Sequence, residues 1–228
     1  MIAAERAELE PVAGRLAGAR PIGVGLRWAV GGRLGSIPVA LAAHGTGRIH
    51  AATAARAIGE RLPLRGLVSV GWCGGLDPSL EVGQVVVADR VLSENPRQEF
   101  RALPVEGPAT TGAVLSVDRF VRTAEEKRQL RATGASVVDM EAAGVAAEAV
   151  RMGLPFFCVR AVSDPAGKTF AMDFNRARRG DGRFSVGRIV AQAGVRPGHW
   201  RELFELGRAS RVAASALGAF LGGCRFGC

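Results

Sequence analysis

Short apolar runs separated by glycine and proline alternate along this chain with longer helix-favouring stretches, and the order predicts strand, helix, strand, helix. Residues 37–43 read as a strand, Gly45-Thr46-Gly47-Arg48 as a turn, and 49–61 as an alanine-rich helix. The apolar run 67–70 predicts a buried strand leading into a glycine turn, Gly71-Trp72-Cys73-Gly74-Gly75, and 82–87 a β-branched strand after it. Pro96, Pro104 and Pro108 make 94–112 an irregular loop. A strand at 113–117 and a helix at 123–133 follow, and the consecutive charges Glu125, Glu126, Lys127 and Arg128 place that helix on the surface. Then come a strand at 136–140, a helix at 141–152 ended by Gly153, and a strand at 156–162 with Ser163-Asp164-Pro165 immediately beyond its carboxyl end. The small and apolar positions Ala142, Val145, Ala146, Ala149 and Val150 fit that helix for close packing on a sheet. Strands that are apolar throughout, rather than alternating, predict an α/β sheet covered on both faces. Ligands then collect at the strands' carboxyl ends.

Composition narrows the class. A chain of 228 residues, 48% hydrophobic, is long enough for one domain over 1–228 with a continuous core and no staples. Cys73, Cys158, Cys224 and Cys228 form no CxxC pair, and His44, His50 and His199 are spaced wrongly for HExxH. No metal site, disulfide framework or cofactor is therefore expected, and a reducing, cytoplasmic setting is. No stretch of eighteen uninterrupted apolar residues exists, and Glu5, Arg6, Glu8 and Glu10 occupy the place of a signal peptide's core, so the protein is expected to be soluble and not exported. The net charge of +9 raises nucleic acid as a partner. Tyrosine is absent, aromatics are few and no binding-module signature occurs, so no nucleic-acid partner is expected. Most of the positive charge lies in a basic tail, 165–228, with eleven basic residues against four acidic.

The polar groups at the predicted strand ends carry the chemistry: Gly74 and Gly75, then Asp139-Met140-Glu141, then Ser163-Asp164. Carboxylates from different strands facing one crevice suit a reaction that needs an acid on one side of a bond and charge stabilisation on the other, and glycosidic cleavage fits. Each feature also has a plainer reading. A glycine turn is commonly only a turn, an Asp after a strand commonly caps the next helix, and Glu141 at a helix start is favoured by the macrodipole.

Val138-Asp139-Met140-Glu141-Ala142-Ala143, followed by Leu154-Pro155-Phe156 and Val159-Arg160-Ala161-Val162-Ser163-Asp164, resembles the nucleoside phosphorylase and nucleosidase superfamily. The branch it is most similar to is methylthioadenosine/S-adenosylhomocysteine nucleosidase. Gly45-Thr46-Gly47-Arg48, Gly71–Leu76 and Val82-Gly83-Gln84-Val85-Val86-Val87 fall where that family has its glycine turns and a further strand, so the resemblance covers roughly residues 3–164. It implies a three-layer sandwich whose central sheet is mixed and mostly parallel, and a small-molecule purine nucleoside as substrate. By the same resemblance Asp164 protonates the leaving purine at its N7 edge, its carboxyl held neutral or shared by enclosure, and Ser163 steadies it. Glu141 binds the ribose hydroxyls and Met140 packs against the sugar. Phe120 stacks on the base, whose edge the Val121 backbone reads. Glu8 orients the attacking water, and Cys73 and Gly74 line the ribose and base pocket through backbone groups. Relatives assemble into homo-oligomers, so an assembly is expected.

Departures from the family pattern shape further expectations. Only Met1 and Ile2 precede Ala3 where the family opens with a full strand, so the first strand is expected to be missing or the start misplaced. Trp72 replaces a small residue and should narrow the ribose or phosphate corner. Ser69 and Val70 stand where phosphorylases carry a phosphate-binding arginine. Arg48 could substitute, although an exposed base at a helix start is the plainer reading, and water is favoured over phosphate as nucleophile. In the tail, 165–188 forms an insertion containing Asp173-Phe174-Asn175-Arg176 and Gly182-Arg183-Phe184-Ser185. Residues 199–221 read as an amphipathic helix with Trp200, Leu203, Phe204, Gly207, Ala214, Leu217 and Leu221 on one face. That helix closes the core or, on a sharper reading, gives peripheral contact with anionic lipid. The Ser-Asp-Pro-Ala turn and the basic tail are similar to hopanoid-associated phosphorylases, which implies phosphate-dependent cleavage of a lipid-linked adenosyl substrate as the alternative to hydrolysis. A nucleoside-binding protein with impaired turnover is the competing class.

Overall fold

A computed structural model describes residues 1–180, 185–194 and 196–227. The chain opens with β1 (Ile2–Ala3), α1 (Arg6–Ala13), β2 (Ala17–Pro21), β3 (Trp28–Leu34), β4 (Ile37–Ala43) and α2 (Arg48–Arg61). It continues with β5 (Leu67–Gly75), β6 (Val85–Ser93), β7 (Gln98–Arg101), β8 (Val105–Glu106), β9 (Thr110–Ser116), α3 (Ala124–Arg131), β10 (Val137–Asp139), α4 (Ala142–Met152) and β11 (Phe156–Asp164). Three helices, α5 (Phe174–Ala177), α6 (Val186–Ala193) and α7 (Pro197–Leu221), and the short β12 (Arg225–Phe226) complete it.

The main sheet runs β10-β9-β6-β11-β5-β1-β4-β3-β2, with β7 on β6. It is mixed. Parallel pairs β4–β1–β5–β11 and β6–β9–β10 form its body, while β6 joins β11 and β3 joins both β2 and β4 antiparallel. β10 also pairs antiparallel with β5, so the sheet curls round to meet itself. The antiparallel share is larger than the simple alternation suggested, because a hairpin-linked unit, β2–β4, precedes the alternating part. The apolar faces of α2 and α4 cover one side with Ala51, Ala54, Ala55, Ala142, Val145 and Ala149 in the core. On the other side α1 and α7 pack with Leu9, Val12, Ala213 and Leu217 against Val70, Val159 and Ala161. A helix, a sheet and a helix layer result, the expected three-layer architecture.

Several sequence expectations need correction. The first strand is present: Ile2 and Ala3 are buried, pair with β4 and β5, and the Met1 ammonium donates to the Ala40 carbonyl at 2.6 Å. Two residues suffice because both neighbours satisfy them. Gly71–Gly75 is no turn; β5 runs through it because β11 and β10 supply ladder partners to its end. The supposed loop at 94–112 contains β7, β8 and the start of β9, the polar Gln98–Arg101 being an edge strand on β6. The face proposed for α7 splits: Ala214, Leu217 and Leu221 are buried, whereas Trp200 and Phe204 are exposed, the first half of the helix packing through Leu203 and Leu206 on Phe170, Met172 and Phe174 instead. Of the 165–188 insertion, Gly182-Arg183-Phe184 lies outside the described residues, while Asp173 caps α5 by accepting from the Asn175 amide.

Candidate active site

A cavity of about 900 Å³ opens at the carboxyl ends of β5, β10 and β11, walled also by α1, α6 and α7. All nine residues to which the resemblance gives a role line it. Cys73 and Gly74 come from β5, Phe120 and Val121 from the segment after β9, Met140 and Glu141 from the β10–α4 junction, Ser163 and Asp164 from the end of β11, and Glu8 from α1. Ser163 and Asp164 belong to β11 itself. The register slips between Val162 and Asp164, so Ser163 is an extra residue, and this bulge re-aims the strand's last side chains.

Glu8 is buried, its Oε2 accepting from the Glu5 amide and its Oε1 from the Trp72 amide, both at 2.8 Å. Burial pushes its pKa up to about 7, against the lowering pull of those amides and of Arg160. Glu141 Oε1 accepts from the Gly47 amide at 2.7 Å. Burial, with the negative charges of Asp139 and Glu8 nearby, also raises the pKa of Glu141. Cys73 is buried too, and its thiol is pushed well above its ordinary value by desolvation. Glu8 and Asp164 both depend on glycines. A Cβ on Gly71 would sit 2.7 Å from Glu8 Oε1, and one on Gly74 3.1 Å from Asp164 Oδ2.

Asp139 takes the plainer role. Its Oδ2 accepts from the Ala142 amide at 2.7 Å, capping α4, and receives the fully buried Arg160, whose Nη2 also donates to Ser69 Oγ at 2.7 Å. Ser69 is thus occupied beneath the site rather than open to a ligand. Arg160, quoted in the motif without a role, is the cation that offsets this buried acidic cluster. Lys127 was missed altogether. Its side chain is fully buried and pairs with Asp164 Oδ2, so the enclosure around that carboxyl contains an ammonium. The expected surface helix therefore turns one charge inward; Lys127 lies on the same three-residue stripe as the half-buried Leu130, the one sequence signal that could have found it. Ser163 Oγ donates to Asp164 Oδ1 at 2.8 Å.

Phe120 packs among Phe170 and Phe174, with ring centroids 5.2 and 5.0 Å away. Asn175 grips its backbone from both sides, donating to the Phe120 carbonyl at 2.9 Å and accepting from its amide at 2.7 Å. Trp72 forms part of the wall, and its buried Nε1 has no partner among the described residues. Arg48 does not line the cavity. Among the described residues no cluster of His, Cys, Asp and Glu could hold a metal, and no helix is long and apolar enough to cross a membrane.

The chain has relatives in sequence, and its fold has counterparts among solved structures. A 5'-methylthioadenosine/S-adenosylhomocysteine nucleosidase of Mycobacterium bovis is 27% identical over 195 residues, 64% of this chain and 76% of that protein. The structure of the nucleosidase of the same name from Neisseria meningitidis, in complex with methylthio-immucillin-A, superposes with a TM-score of 0.69 at 21% identity, covering 96% of both chains. A futalosine hydrolase mutant of Helicobacter pylori superposes with a TM-score of 0.72 at 15% identity over 96% of this chain and 94% of that one. The Phosphorylase superfamily pattern matches residues 8–110 and 97–190. A match that starts at Glu8 and runs on past Asp164 takes in the cavity lining apart from Ala4, Glu5, Ala7 and α7, and this chain belongs to the Phosphorylase superfamily.

Proposed function

We propose that this protein hydrolyses the N-glycosidic bond of a purine nucleoside, releasing adenine from a sugar modified at its 5′ carbon. The observation that carries the reading is the meeting of Glu8, Glu141 and Asp164, from three separate elements, in one cavity. Asp164 serves the N7 edge of the leaving base, so that the base departs as a neutral molecule. Glu141 holds the ribose hydroxyls, and its charge counts for more as the sugar becomes cationic. Glu8, with a pKa near neutrality, orients the attacking water and accepts its proton. Phe120 and the Val121 backbone hold the purine, Met140 packs on the sugar, and Cys73, Gly74 and Ser163 complete the pocket.

Water fits as the nucleophile better than phosphate. A phosphate beside Glu8 would face Glu141 as well, and Ser69 is taken by Arg160. Of the arginines in the wall, Arg119 is committed to Glu94 at 2.5 Å and Glu126 at 2.8 Å, and Arg211 is exposed on α7. The decisive experiment incubates the protein with 5′-alkylthio adenosines, with and without phosphate, and follows adenine by chromatography. Release without phosphate is expected, with Asp164→Asn slower by roughly 10²–10⁴-fold. No release from any purine nucleoside defeats the reading, and tight binding without release makes the protein a nucleoside sensor.

One observation favours a second reading. The cavity stands near the upper end of ordinary ligand pockets, and Ile189, Leu203, Leu206 and Ala214 extend it in apolar surface. That wall suits a nucleoside bearing a large apolar 5′ group, as the likeness to hopanoid-associated phosphorylases implies, and exposed Trp200 and Phe204 beside it would meet a lipid surface. Strict phosphate dependence in the same assay would convert the hydrolase into a phosphorylase of this kind.

A further inference from the structure

Lys127 has no part in the chemistry just described, yet its placement is costly. An ammonium without water around it is unfavourable unless paired, and this one is fully buried. Its three N–H groups are directed at a single spot: Asp164 Oδ2, the Pro165 carbonyl at 2.8 Å and the Asp164 carbonyl at 3.4 Å. Ser163 Oγ lies 2.8 Å from the other carboxylate oxygen and 3.2 Å from the Cys73 carbonyl, so its one proton is shared between these acceptors. The ion-pair contact of Asp164 is therefore the one at Oδ2, with Lys127. Gly74 clears the meeting point, since a Cβ there would stand 3.1 Å from Asp164 Oδ2 and 3.5 Å from Lys127 Cε.

A carboxylate asked to donate must first receive a proton, and the group in contact that carries one to give is this ammonium. We infer that Lys127 supplies the proton that Asp164 passes to the departing purine. The inference rests on the nucleosidase reading above. As the C1′–N9 bond breaks, its electron pair goes to the purine ring, and N7 takes a proton from Asp164. That proton comes from an N–H bond of Lys127, which breaks leaving its pair on nitrogen while the proton crosses through Asp164 Oδ2, so Asp164 ends as the carboxylate it began as. The lysine ends as a neutral amine. The sugar cation takes hydroxide from water, whose remaining proton passes to Glu8 and returns through solvent to Lys127 once the products leave. Lys127 acts through Asp164 and is a positioning residue that also stores the proton.

A double-mutant cycle on adenine release tests this, using wild type, Lys127→Met, Asp164→Asn and the double variant, with folding checked by circular dichroism. Wild-type release comes first, and its absence defeats the nucleosidase reading itself. Given release, Lys127→Met is expected to lower kcat at least a hundredfold with KM within threefold. The double variant should then be no more than threefold slower than Asp164→Asn alone, because both changes cut one relay. Losses that multiply, or a KM that rises as far as kcat falls, overturn the inference and leave Lys127 a packing element. Lys127→Arg is the second variant, and it carries the test alone if Lys127→Met does not fold. It keeps the charge, but a guanidinium does not give up its proton, so kcat should fall as in Lys127→Met. An arginine variant within threefold of wild type would sink the proton supply.

Discussion

Glu8 illustrates what a buried carboxylate costs its own fold. It is enclosed among the Glu5 and Trp72 amides, with a pKa raised from 4.5 to about 7. Between those values the folded protein holds a proton that the unfolded chain has released, so stability falls as pH rises through the window and stays lower above it. The difference amounts to at most about 3 kcal/mol. Urea unfolding at pH 5 and pH 8 should show this decline in wild type and a flatter profile in Glu8→Gln; equal profiles would mean that Glu8 is not held protonated. Activity runs the opposite way. If Glu8 is the base proposed above, it must be ionised, and kcat/KM should fall tenfold per unit below about pH 7. At this scale the chain was informative about which groups meet in space, because all nine candidate residues line one cavity. It was uninformative about Lys127 and Arg160. Both are charged residues of ordinary appearance whose burial depends on carboxylates that are distant in sequence, Asp164 and Asp139.

Elements approach one another where glycine removes a side chain. A Cβ on Gly144 of α4 would collide with the Arg48 carbonyl of α2, which explains how the two helices pack so tightly over the sheet. At the start of α2, Gly47 has φ of 109°, a conformation side chains rarely adopt, and its amide holds Glu141 at 2.7 Å. Gly47→Ala should therefore cost roughly 1–3 kcal/mol in urea unfolding and, by displacing Glu141, raise KM for the nucleoside about tenfold or more. An unchanged KM would separate Glu141 from ribose binding. The turn at 45–48 was legible as a turn. Its service to a carboxylate 94 residues away was not, since hydrophobic period reports which face a segment buries and not which segment it meets.

For the whole molecule, the last layer determines how much space the cavity offers. Leu203 and Leu206 of α7 face it, and Glu202 of the same helix is buried and accepts from the Ala171 and Met172 amides at 2.7 and 3.0 Å, tying α7 to the segment beside Phe120. If that apolar wall receives the 5′ group, each added CH₂ on a 5′-alkylthio adenosine should lower KM about fourfold until the wall is filled. Leu206→Glu should abolish the trend, and a KM independent of chain length would show that the 5′ group lies elsewhere. The alternation of strand and helix over 37–70 and 113–162, the family and the residues lining the cavity were legible in the chain, because period, capping and short motifs are local properties. The extension of β5 through its glycines, the closing of β10 onto β5, the inward turn of Lys127 and the division of α7 into buried and exposed halves were not. Each depends on which distant backbone, carboxylate or sheet edge lies alongside, and only the assembled chain brings those partners within reach.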